Sequence, residues 1–300
     1  AQLRTNAYWL GAIVAQAQSR PEDLELVGTR LSDLEALTPA DITALAADGA
    51  RLAVGLAGKG IEISGERPAA LASLDCITAL AFEGSRLWIA QGSTRHPFAN
   101  WLHDFMDQKP SGRVLSYDLA SGALEVRAEK LGFPYGLLPR ADGLIVAESW
   151  AKRLIALGAG SAHRILADDL PGYPAGLAAS QSGGLWLALF APRSPLLELV
   201  LREPAYRRAM MAEVEPEFWI SPALRSGYSF AEPMQGGALK QMGVLKPWAP
   251  TRSYGLVVEM DASANPLQSL HSRAGGTRHG VTSLLEVEGT LWIASTGGDE

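Results

Sequence analysis

The sequence has a single cysteine, no long apolar run and no excess of basic residues, and each shortage excludes a class of protein. Cys76 has no second cysteine with which to form an internal disulfide, and a packed, unreactive thiol is expected. No apolar run reaches the roughly 18 residues of a membrane-spanning helix, so we do not expect a membrane-embedded chain. The net charge of -6 over 300 residues leaves no basic field for a phosphate backbone, so nucleic acid is not an expected partner.

One strand-turn-strand pattern is present in four copies. In each copy an apolar stretch leads to an acidic residue or serine followed by glycine, and a second apolar stretch such as Leu87-Trp88-Ile89-Ala90 follows. This turn sequence predicts a hairpin, because glycine adopts the positive φ angle that the turn requires. Repetition at such intervals predicts an all-β fold, a β-propeller. The copies are residues 78–91, 136–149, 176–189 and 282–295.

Further strands are predicted after most of these hairpins. Alternation such as Arg113-Val114-Leu115-Ser116-Tyr117 is typical of outer strands with one solvated face. The count gives three full blades, a half-blade starting at Asp48-Gly49 and a last blade without outer strands. We therefore expect residues 48–300 to form an incomplete ring, or one completed by an oligomer or a partner chain. The predicted outer strands are residues 60–64, 113–118, 123–126, 153–157, 163–166, 255–261 and 266–270.

Residues 1–47 do not follow the repeat. Helical spacing of apolar residues predicts two amphipathic helices around Pro21, and Thr38-Pro39-Ala40-Asp41 predicts the start of a third. The phrases Leu3-Arg4-Thr5-Asn6-Ala7-Tyr8-Trp9-Leu10 and Leu37-Thr38-Pro39-Ala40-Asp41 resemble the C-terminal end of pitrilysin/insulinase-type zinc peptidases. The sequence lacks the His-x-x-Glu-His zinc motif of that family, so we expect a helical segment without protease activity.

An irregular insertion, residues 191–253, interrupts a blade. Leu197, Val200 and Leu201 share a helical face and predict a short helix or helix pair. An insertion of this length is usually functional, which favours a lid, while the alternative is a subdomain that caps a blade end. Its aromatic and methionine content favours a small apolar or aromatic ligand. Its substrate-binding candidates are Phe218, Trp219, Phe230 and Trp248.

Three phrases in the repeat region carry a resemblance to a known family: Leu131-Gly132-Phe133-Pro134-Tyr135-Gly136-Leu137, Ala147-Glu148-Ser149-Trp150 and Tyr254-Gly255-Leu256-Val257-Val258-Glu259. With these phrases, residues 48–300 resemble the strictosidine-synthase-like propellers, relatives of the gluconolactonase and paraoxonase group. The resemblance implies a six-bladed propeller with its site at one mouth of the central channel.

The resemblance also implies a catalytic Ca²⁺, which lactonase relatives hold with Glu, Asn and Asp side chains at the channel ends of the inner strands. The matching residues here are Thr78, Tyr135, Ala175 and Thr282, none of them a carboxylate or an amide. We therefore expect no cofactor, with a Ca²⁺ of the family type as the alternative. Strictosidine synthases also use a glutamate as general base where this chain has Thr282, which disfavours their bond-forming reaction.

The candidate catalytic groups form a small polar set. His279 precedes the last inner strand and could accept a proton near pH 7, although a structural histidine is the alternative. Glu148 could accept a proton or pair with Lys152 or Arg153. Thr282 and Tyr135 complete this set.

Three further residues, Tyr173, Thr78 and Trp150, are substrate-binding candidates at the channel mouth. For Tyr173, as for Tyr135, the alternative is a ring that packs in the channel with its hydroxyl bonded to backbone. His96 and His103 are seven residues apart, which suits one helix face, but no third ligand is near enough to predict a zinc site.

The leading expectation is a hydrolase of small apolar esters or lactones that uses the channel mouth as its pocket. The alternatives are non-catalytic binding of an apolar small molecule or a partner protein, and a strictosidine-synthase-like lyase.

Overall fold

The computed structural model describes residues 42–49, 51–158, 163–227, 232–233, 240–241, 244–245, 251–273 and 276–298. The helices predicted for residues 1–41 lie outside the described residues, as do Phe230 and Trp248. The first eleven strands are β1 (Ile42–Asp48), β2 (Arg51–Leu56), β3 (Gly60–Ile63), β4 (Ile77–Glu83), β5 (Arg86–Gln91), β6 (Gly112–Asp118), β7 (Leu124–Leu131), β8 (Pro134–Arg140), β9 (Gly143–Glu148), β10 (Arg153–Leu157) and β11 (His163–Ala167).

The second half of the chain contains the remaining strands and most of the helical structure. The other strands are β12 (Gly172–Ala179), β13 (Leu185–Pro192), β14 (Lys240–Gln241), β15 (Val244–Leu245), β16 (Leu256–Met260), β17 (Pro266–His271), β18 (Val281–Val287) and β19 (Thr290–Ser295). The helices are α1 (Trp101–Asp107), α2 (Pro195–Arg202) and α3 (Pro204–Glu213), with 3-10 turns at Phe98–Asn100 and Pro216–Phe218.

The sheets follow chain order, as the blades of a propeller do. Three sheets have four strands: β4-β5-β6-β7, β8-β9-β10-β11 and β12-β13-β16-β17. The sheet β1-β2-β3 precedes them and β18-β19 follows, with the small pair β14-β15 in the insertion. The first strands pack side by side in the order β1, β4, β8, β12 and β18. The predicted all-β propeller is confirmed, with five blades or part-blades among the described residues.

The predicted hairpin turns are also confirmed. Gly49, Gly84, Gly143, Gly183 and Gly289 each follow the acidic residue or serine of a repeat copy, and each has a positive φ angle, of 54°, 56°, 143°, 87° and 76°. The local signal was reliable because a side chain at such angles is strained.

The first blade begins before the predicted boundary at residue 48. The prediction that the helical segment continues through residues 42–47 is wrong, because Ile42–Asp48 forms β1, which pairs antiparallel with β2. The segment is rich in alanine, so its local propensity is compatible with a helix. Pairing with β2 buries Leu45 and Ala46, and this tertiary burial outweighs the local propensity.

Neighbouring inner strands approach each other closely at two glycines. A Cβ atom on Gly136 of β8 would lie 2.1 Å from the carbonyl oxygen of Ala175 on β12. A Cβ atom on Gly176 of β12 would lie 2.4 Å from the carbonyl oxygen of Thr282 on β18. Since real Cβ atoms do not approach backbone so closely, only glycine allows these blades to pack at this spacing.

We expect Gly136→Ala and Gly176→Ala each to lower the free energy of unfolding by about 1–3 kcal/mol, because the added methyl group forces backbone apart. Chemical denaturation monitored by circular dichroism measures the change. Gly158→Ala is the matched control, since a Cβ atom there meets nothing within 4 Å. Equal stability of all three variants would show that the inner strands can separate without cost.

Candidate functional site

The channel mouth is the end of the propeller where the inner strands begin and their partner strands finish. Two long connections leave from this end. One follows β5 and contains α1, and the other follows β13 and contains α2 and α3. The pairs of residues that mark this end are Ile77 with Gln91, Pro134 with Glu148, Gly172 with Pro192 and Val281 with Ser295.

Aromatic rings fill the mouth and form what we call the aromatic cleft. Trp150 lies at its centre. Its ring stacks on Phe133, with centroids 4.4 Å apart and planes at 25°, and on Trp101, with centroids 6.0 Å apart and planes at 26°. Phe98 meets the ring of Tyr135 edge-on at 6.4 Å. Such stacked and edge-to-face contacts stabilise beyond the area they bury. The cleft is lined by Phe98, Trp101, Phe133, Tyr135, Trp150, Phe190 and Leu224.

Helix α1 covers the back of this cleft. The Phe105 ring packs edge-on against Trp150 at 4.9 Å. The Trp150 indole N–H donates to Oδ2 of Asp104 at 2.8 Å, while Oδ1 of the same buried carboxylate has no hydrogen-bond partner. The position of Trp150 is therefore set by ring contacts with Phe133, Trp101 and Phe105 and by the hydrogen bond of its N–H.

The free space in the cleft is small. About 10 Å³ remains between the rings, close to the minimum for one water molecule. The rings of Phe98, Trp101 and Tyr135 are only partly buried. A ligand larger than water would therefore enter by displacing these outer rings.

Two residues at the mouth have strained backbone. Cys76 and Phe133 immediately precede β4 and β8 and have φ angles of 52° and 58°, a region that costs a residue with a side chain about 1–3 kcal/mol. Burial is the main reason that the pKa of the Cys76 thiol rises to about 12. Cys76 is thus packed, as the sequence predicts.

None of the four positions matching the family's Ca²⁺ ligands carries a carboxylate or an amide oxygen. The Thr78 hydroxyl donates to the carbonyl oxygens of Ala90 and Pro134, and Ala175 has no side-chain oxygen. The hydroxyls of Thr282 and Thr296 bond to each other at 2.6 Å. Throughout the part of the chain that the structure describes, no three His, Cys, Asp or Glu side chains converge as metal ligands.

His279 is buried, and both of its ring nitrogens are bonded. Nε2 lies 2.9 Å from the carbonyl oxygen of Arg273, which can only accept, so Nε2 carries the hydrogen. Nδ1 lies 2.7 Å from the Ser253 hydroxyl and accepts from it. Because both ring nitrogens are used in these bonds, the geometry favours the structural alternative for His279.

Glu148 is held in an ion pair. Its Oε2 accepts from Nε of Arg153 at 2.6 Å, and its Oε1 accepts from the backbone N–H of Gly132 at 2.7 Å. The pairing alternative for this residue is confirmed. Tyr173 is completely buried, its hydroxyl has no hydrogen-bond partner, and burial raises its pKa.

The insertion joins the hydrophobic cluster that includes the cleft residues. The predicted helix pair is confirmed as α2 and α3, and Leu197 and Met210 are buried in this cluster. Trp219 is fully buried, its ring lies 4.8 Å from His103, and its N–H donates to the carbonyl oxygen of Val214. Phe218 is half-buried. This packing favours a cap over a freely opening lid.

One titratable pair near the cleft was missed by the sequence reasoning. Nε2 of His96 lies 3.0 Å from Oδ2 of Asp107, and Nη2 of Arg95 lies 2.9 Å from the same oxygen. Burial acts to raise the pKa of Asp107, but the hydrogen bond from His96 and the charge of Arg95 outweigh it and lower the pKa. The available signal was the aspartate, Asp107, in the last turn of the helix that follows His96. The sequence analysis considers His96 only together with His103.

Comparison with known proteins finds similarity to strictosidine synthases and to adipocyte plasma membrane-associated proteins. Residues 80–156 match the family model for strictosidine synthase. Adipocyte plasma membrane-associated protein of Salmo salar is 26% identical, and that of Danio rerio 24%, each match covering 71% of this chain and 47% of the relative. The chain thus spans about half the length of these relatives. A solved gluconolactonase from Xanthomonas campestris is 14% identical, with a TM-score of 0.49, covering 86% of this chain and 70% of that one.

The family model and the curated relatives confirm the predicted resemblance of the propeller to strictosidine synthases. The resemblance of residues 1–48 to zinc peptidases stays a prediction. None of the helices in the described ranges is long and apolar enough to cross a membrane.

We expect Cys76 to resist a thiol reagent such as 5,5′-dithiobis(2-nitrobenzoate) at pH 8 in the folded protein. The raised pKa keeps the thiol protonated at that pH, and only the thiolate reacts. Absorbance at the reagent's product wavelength should rise only after denaturant is added. Rapid stoichiometric labelling of the native protein would contradict this prediction.

Arg153→Ala should lower the free energy of unfolding by about 1–3 kcal/mol, because the buried Glu148 carboxylate loses a charged donor. Arg164→Ala, at an exposed position on β11, serves as the control. Urea denaturation measures both. If the two variants unfold at the same midpoint, the ion pair does not hold the chain around Glu148.

Proposed function

We propose that the protein binds a small apolar or aromatic molecule in the aromatic cleft at the mouth of the propeller channel. The observation that carries this proposal is the stack of Phe133, Trp150 and Trp101, in which Phe133 is buried and Trp101, at the other end, is partly exposed. Pockets for small molecules are mostly apolar and aromatic, with few polar groups. This cleft has that character.

The hydrogen bonding of the cleft favours an apolar ligand. The Trp150 indole N–H is already used by Asp104, so Trp150 offers a ligand only its ring faces and edges. Tyr135 contributes the one side chain of the lining that bears a hydroxyl group. Ring faces recognise flat, apolar molecules by stacking and add little selectivity for polar groups.

Entry between Phe98 and Tyr135 is the route that the packing supports. These two rings meet only edge-on and both are partly exposed, whereas Phe133 and Phe190 are buried. A ligand that replaces the contact between the outer rings would regain aromatic packing on Trp150 or Phe133. The inner rings can then stay in place.

Phe98→Ala and Tyr135→Ala are each expected to weaken binding of 2-naphthol about tenfold, which corresponds to the loss of one aromatic contact of about 1.4 kcal/mol. Isothermal titration calorimetry gives the Kd. Tyr206→Ala is the matched control, because Tyr206 is an aromatic residue 52% exposed on α3. Unchanged affinity in both cleft variants would refute the site.

A second candidate function is hydrolysis of a small apolar ester or lactone, and the pair of His96 and Asp107 favours it. Asp107 accepts the Nε2 hydrogen of His96, which leaves Nδ1 as the basic nitrogen. No residue in the described ranges bonds Nδ1. His96 lies two positions before Phe98 of the cleft, so a base would stand at the rim of the proposed pocket.

The chemistry that this pair supports is attack by water. Nδ1 takes a proton as the water oxygen bonds to the carbonyl carbon, the bond from that carbon to the ester oxygen breaks, and the imidazolium returns the proton to the departing oxygen. Asp107 keeps the ring orientation and stabilises the imidazolium. The bond-forming reaction of strictosidine synthases is not favoured, because Thr282 stands where those enzymes have a glutamate base. Its hydroxyl is hydrogen-bonded to that of Thr296.

Hydrolysis of dihydrocoumarin, an aromatic lactone, tests this candidate. His96→Ala should lower kcat/KM by about 10²–10⁴-fold, as expected for loss of a general base. His163→Ala, an exposed histidine on β11, should leave the rate unchanged, and EDTA should have no effect. A rate lost with EDTA, or lost in His279→Ala but kept in His96→Ala, would overturn the role of His96.

A further inference from the structure

The fifth blade has a free strand edge at β19. Among the described residues, β18 and β19 form a two-stranded sheet, whereas the three blades before it have four strands each. The phrase Leu291-Trp292-Ile293-Ala294 of β19 has the same four residues as Leu87-Trp88-Ile89-Ala90 of β5 in the second blade. The two phrases therefore show what a third strand does to the same side chains.

The matching residues of the two phrases differ in burial. Trp88 and Ile89 are buried, and β6 pairs along the whole of β5. Trp292 and Ile293 are 51% and 40% exposed. In the described part of the chain, β19 pairs with β18 and no strand lies along its other edge. An exposed apolar edge of this kind is a template for pairing with another strand.

The third strand has the same chemistry in each four-stranded blade. It runs antiparallel to the second strand and places an apolar residue opposite each of two apolar residues there. All four side chains belong to the hydrophobic cluster shared with the preceding blade. The pairs are Leu115 with Ile89 and Tyr117 with Leu87, Ile155 with Val146 and Leu157 with Leu144, and Val258 with Leu187 and Met260 with Leu185.

The fourth blade presents a wall against which such side chains can pack. Val257 pairs with Leu270 across β16 and β17, so both project from the same sheet face. Leu270 and Ile293 line a cavity of about 350 Å³ between the fourth and fifth blades. The equivalent pair in the second blade, Val114 with Ala128, is buried in the cluster that contains the third strand of the next blade. The cavity thus corresponds to the space that a third strand fills between four-stranded blades.

We infer that the free edge of β19 binds an extended strand of a partner polypeptide. The strand runs antiparallel to β19, with one apolar residue opposite Ile293 and another, two positions later, opposite Leu291. Its backbone pairs with the edge of β19, and its two apolar side chains fill the cavity beside Leu270. The added strand continues the interface that already joins the other blades. This site is independent of the aromatic cleft, and neither proposal requires the other.

A second copy of this chain fits the edge less well. Antiparallel pairing of two β19 strands about a two-fold axis would keep the same sheet face on the same side in both copies. The fourth blade of each copy would then cover the same face of the joined sheet, and the two blades would collide. The edge is therefore assigned to a different polypeptide.

Fluorescence anisotropy of a labelled peptide with the sequence of β6, Gly112–Asp118, tests the inference, because β6 pairs with the same phrase in the second blade. We expect the 300-residue chain to bind it with a Kd of about 100 µM or lower, since the ordering of a short peptide offsets much of the burial. A peptide with serine in place of both Leu115 and Tyr117 should bind at least about tenfold more weakly, because it lacks two large apolar side chains. Equal binding of the two peptides, or no binding of either, would overturn the inference.

Two variants locate the peptide. Ile293→Asp and Leu270→Asp should each weaken binding at least about tenfold, because a carboxylate would be buried against apolar side chains. Ile165→Asp is the matched control, since Ile165 is an exposed apolar residue on the outer strand of the third blade, and it should leave the Kd unchanged. Thermal melting by circular dichroism confirms that each variant is folded. Affinity that survives both Ile293→Asp and Leu270→Asp, or that is lost in Ile165→Asp, would place the peptide elsewhere and refute the assignment.

Hydrogen exchange and light scattering separate a partner strand from the other occupants of this edge. The backbone amides of residues 290–295 should exchange more slowly once the peptide is added, because half-paired strands open more readily than paired ones. Light scattering should give the mass of a monomer without peptide. A dimer that Ile293→Asp dissociates would assign the edge to a second copy. Full protection of residues 290–295 in a monomer without peptide would show that this chain covers the edge itself. Either result would overturn the inference.

Discussion

Close backbone contact between neighbouring inner strands is the constraint on which the rest of the structure depends. Gly136 against Ala175 and Gly176 against Thr282 leave no room for a side chain. Hydroxyl groups add further ties between neighbouring blades, since Thr78 of β4 donates to the carbonyl oxygen of Pro134 on β8 and Ser149, just after β9, donates to that of Pro174 on β12. The starts of the inner strands are thereby brought to one small mouth, and the residues just before them must share its space.

The composition of the mouth follows from this crowding. The polar residues that the sequence offers for catalysis are mostly used to hold the blades and loops in place, with Glu148 on Arg153 and His279 on Ser253 and Arg273. Aromatic rings from two blades, from the 3-10 turn at Phe98–Asn100 and from α1 occupy what remains. Such a mouth presents mainly ring surfaces, and within the described part of the chain an oriented base near it is His96, hydrogen-bonded to Asp107.

The insertion illustrates how a segment with the composition of a binding loop can belong to the core. Trp219 is as deeply buried as any aromatic residue of the blades, and α2 and α3 contribute Leu197, Val200 and Met210 to the same cluster as Tyr173. The insertion therefore stabilises the mouth and limits its opening. Any ligand of the cleft must move outer rings such as Phe98 and Tyr135 while the cap remains in place.

The sequence by itself determined the propeller, the positions of its hairpins and the helix pair of the insertion. These features depend on interactions between residues close in the chain: glycine at a positive φ angle after an acidic residue, alternation along a strand, and apolar residues on one helical face. Residues 42–47 are the exception, because an alanine-rich segment becomes a strand only through pairing with β2. Tertiary structure alone decided which polar residues are free to act. Whether Glu148 meets Arg153, His279 meets Ser253 or His96 meets Asp107 depends on loops from separate parts of the fold, and hydrogen bonds between such groups leave no periodic signal in the sequence.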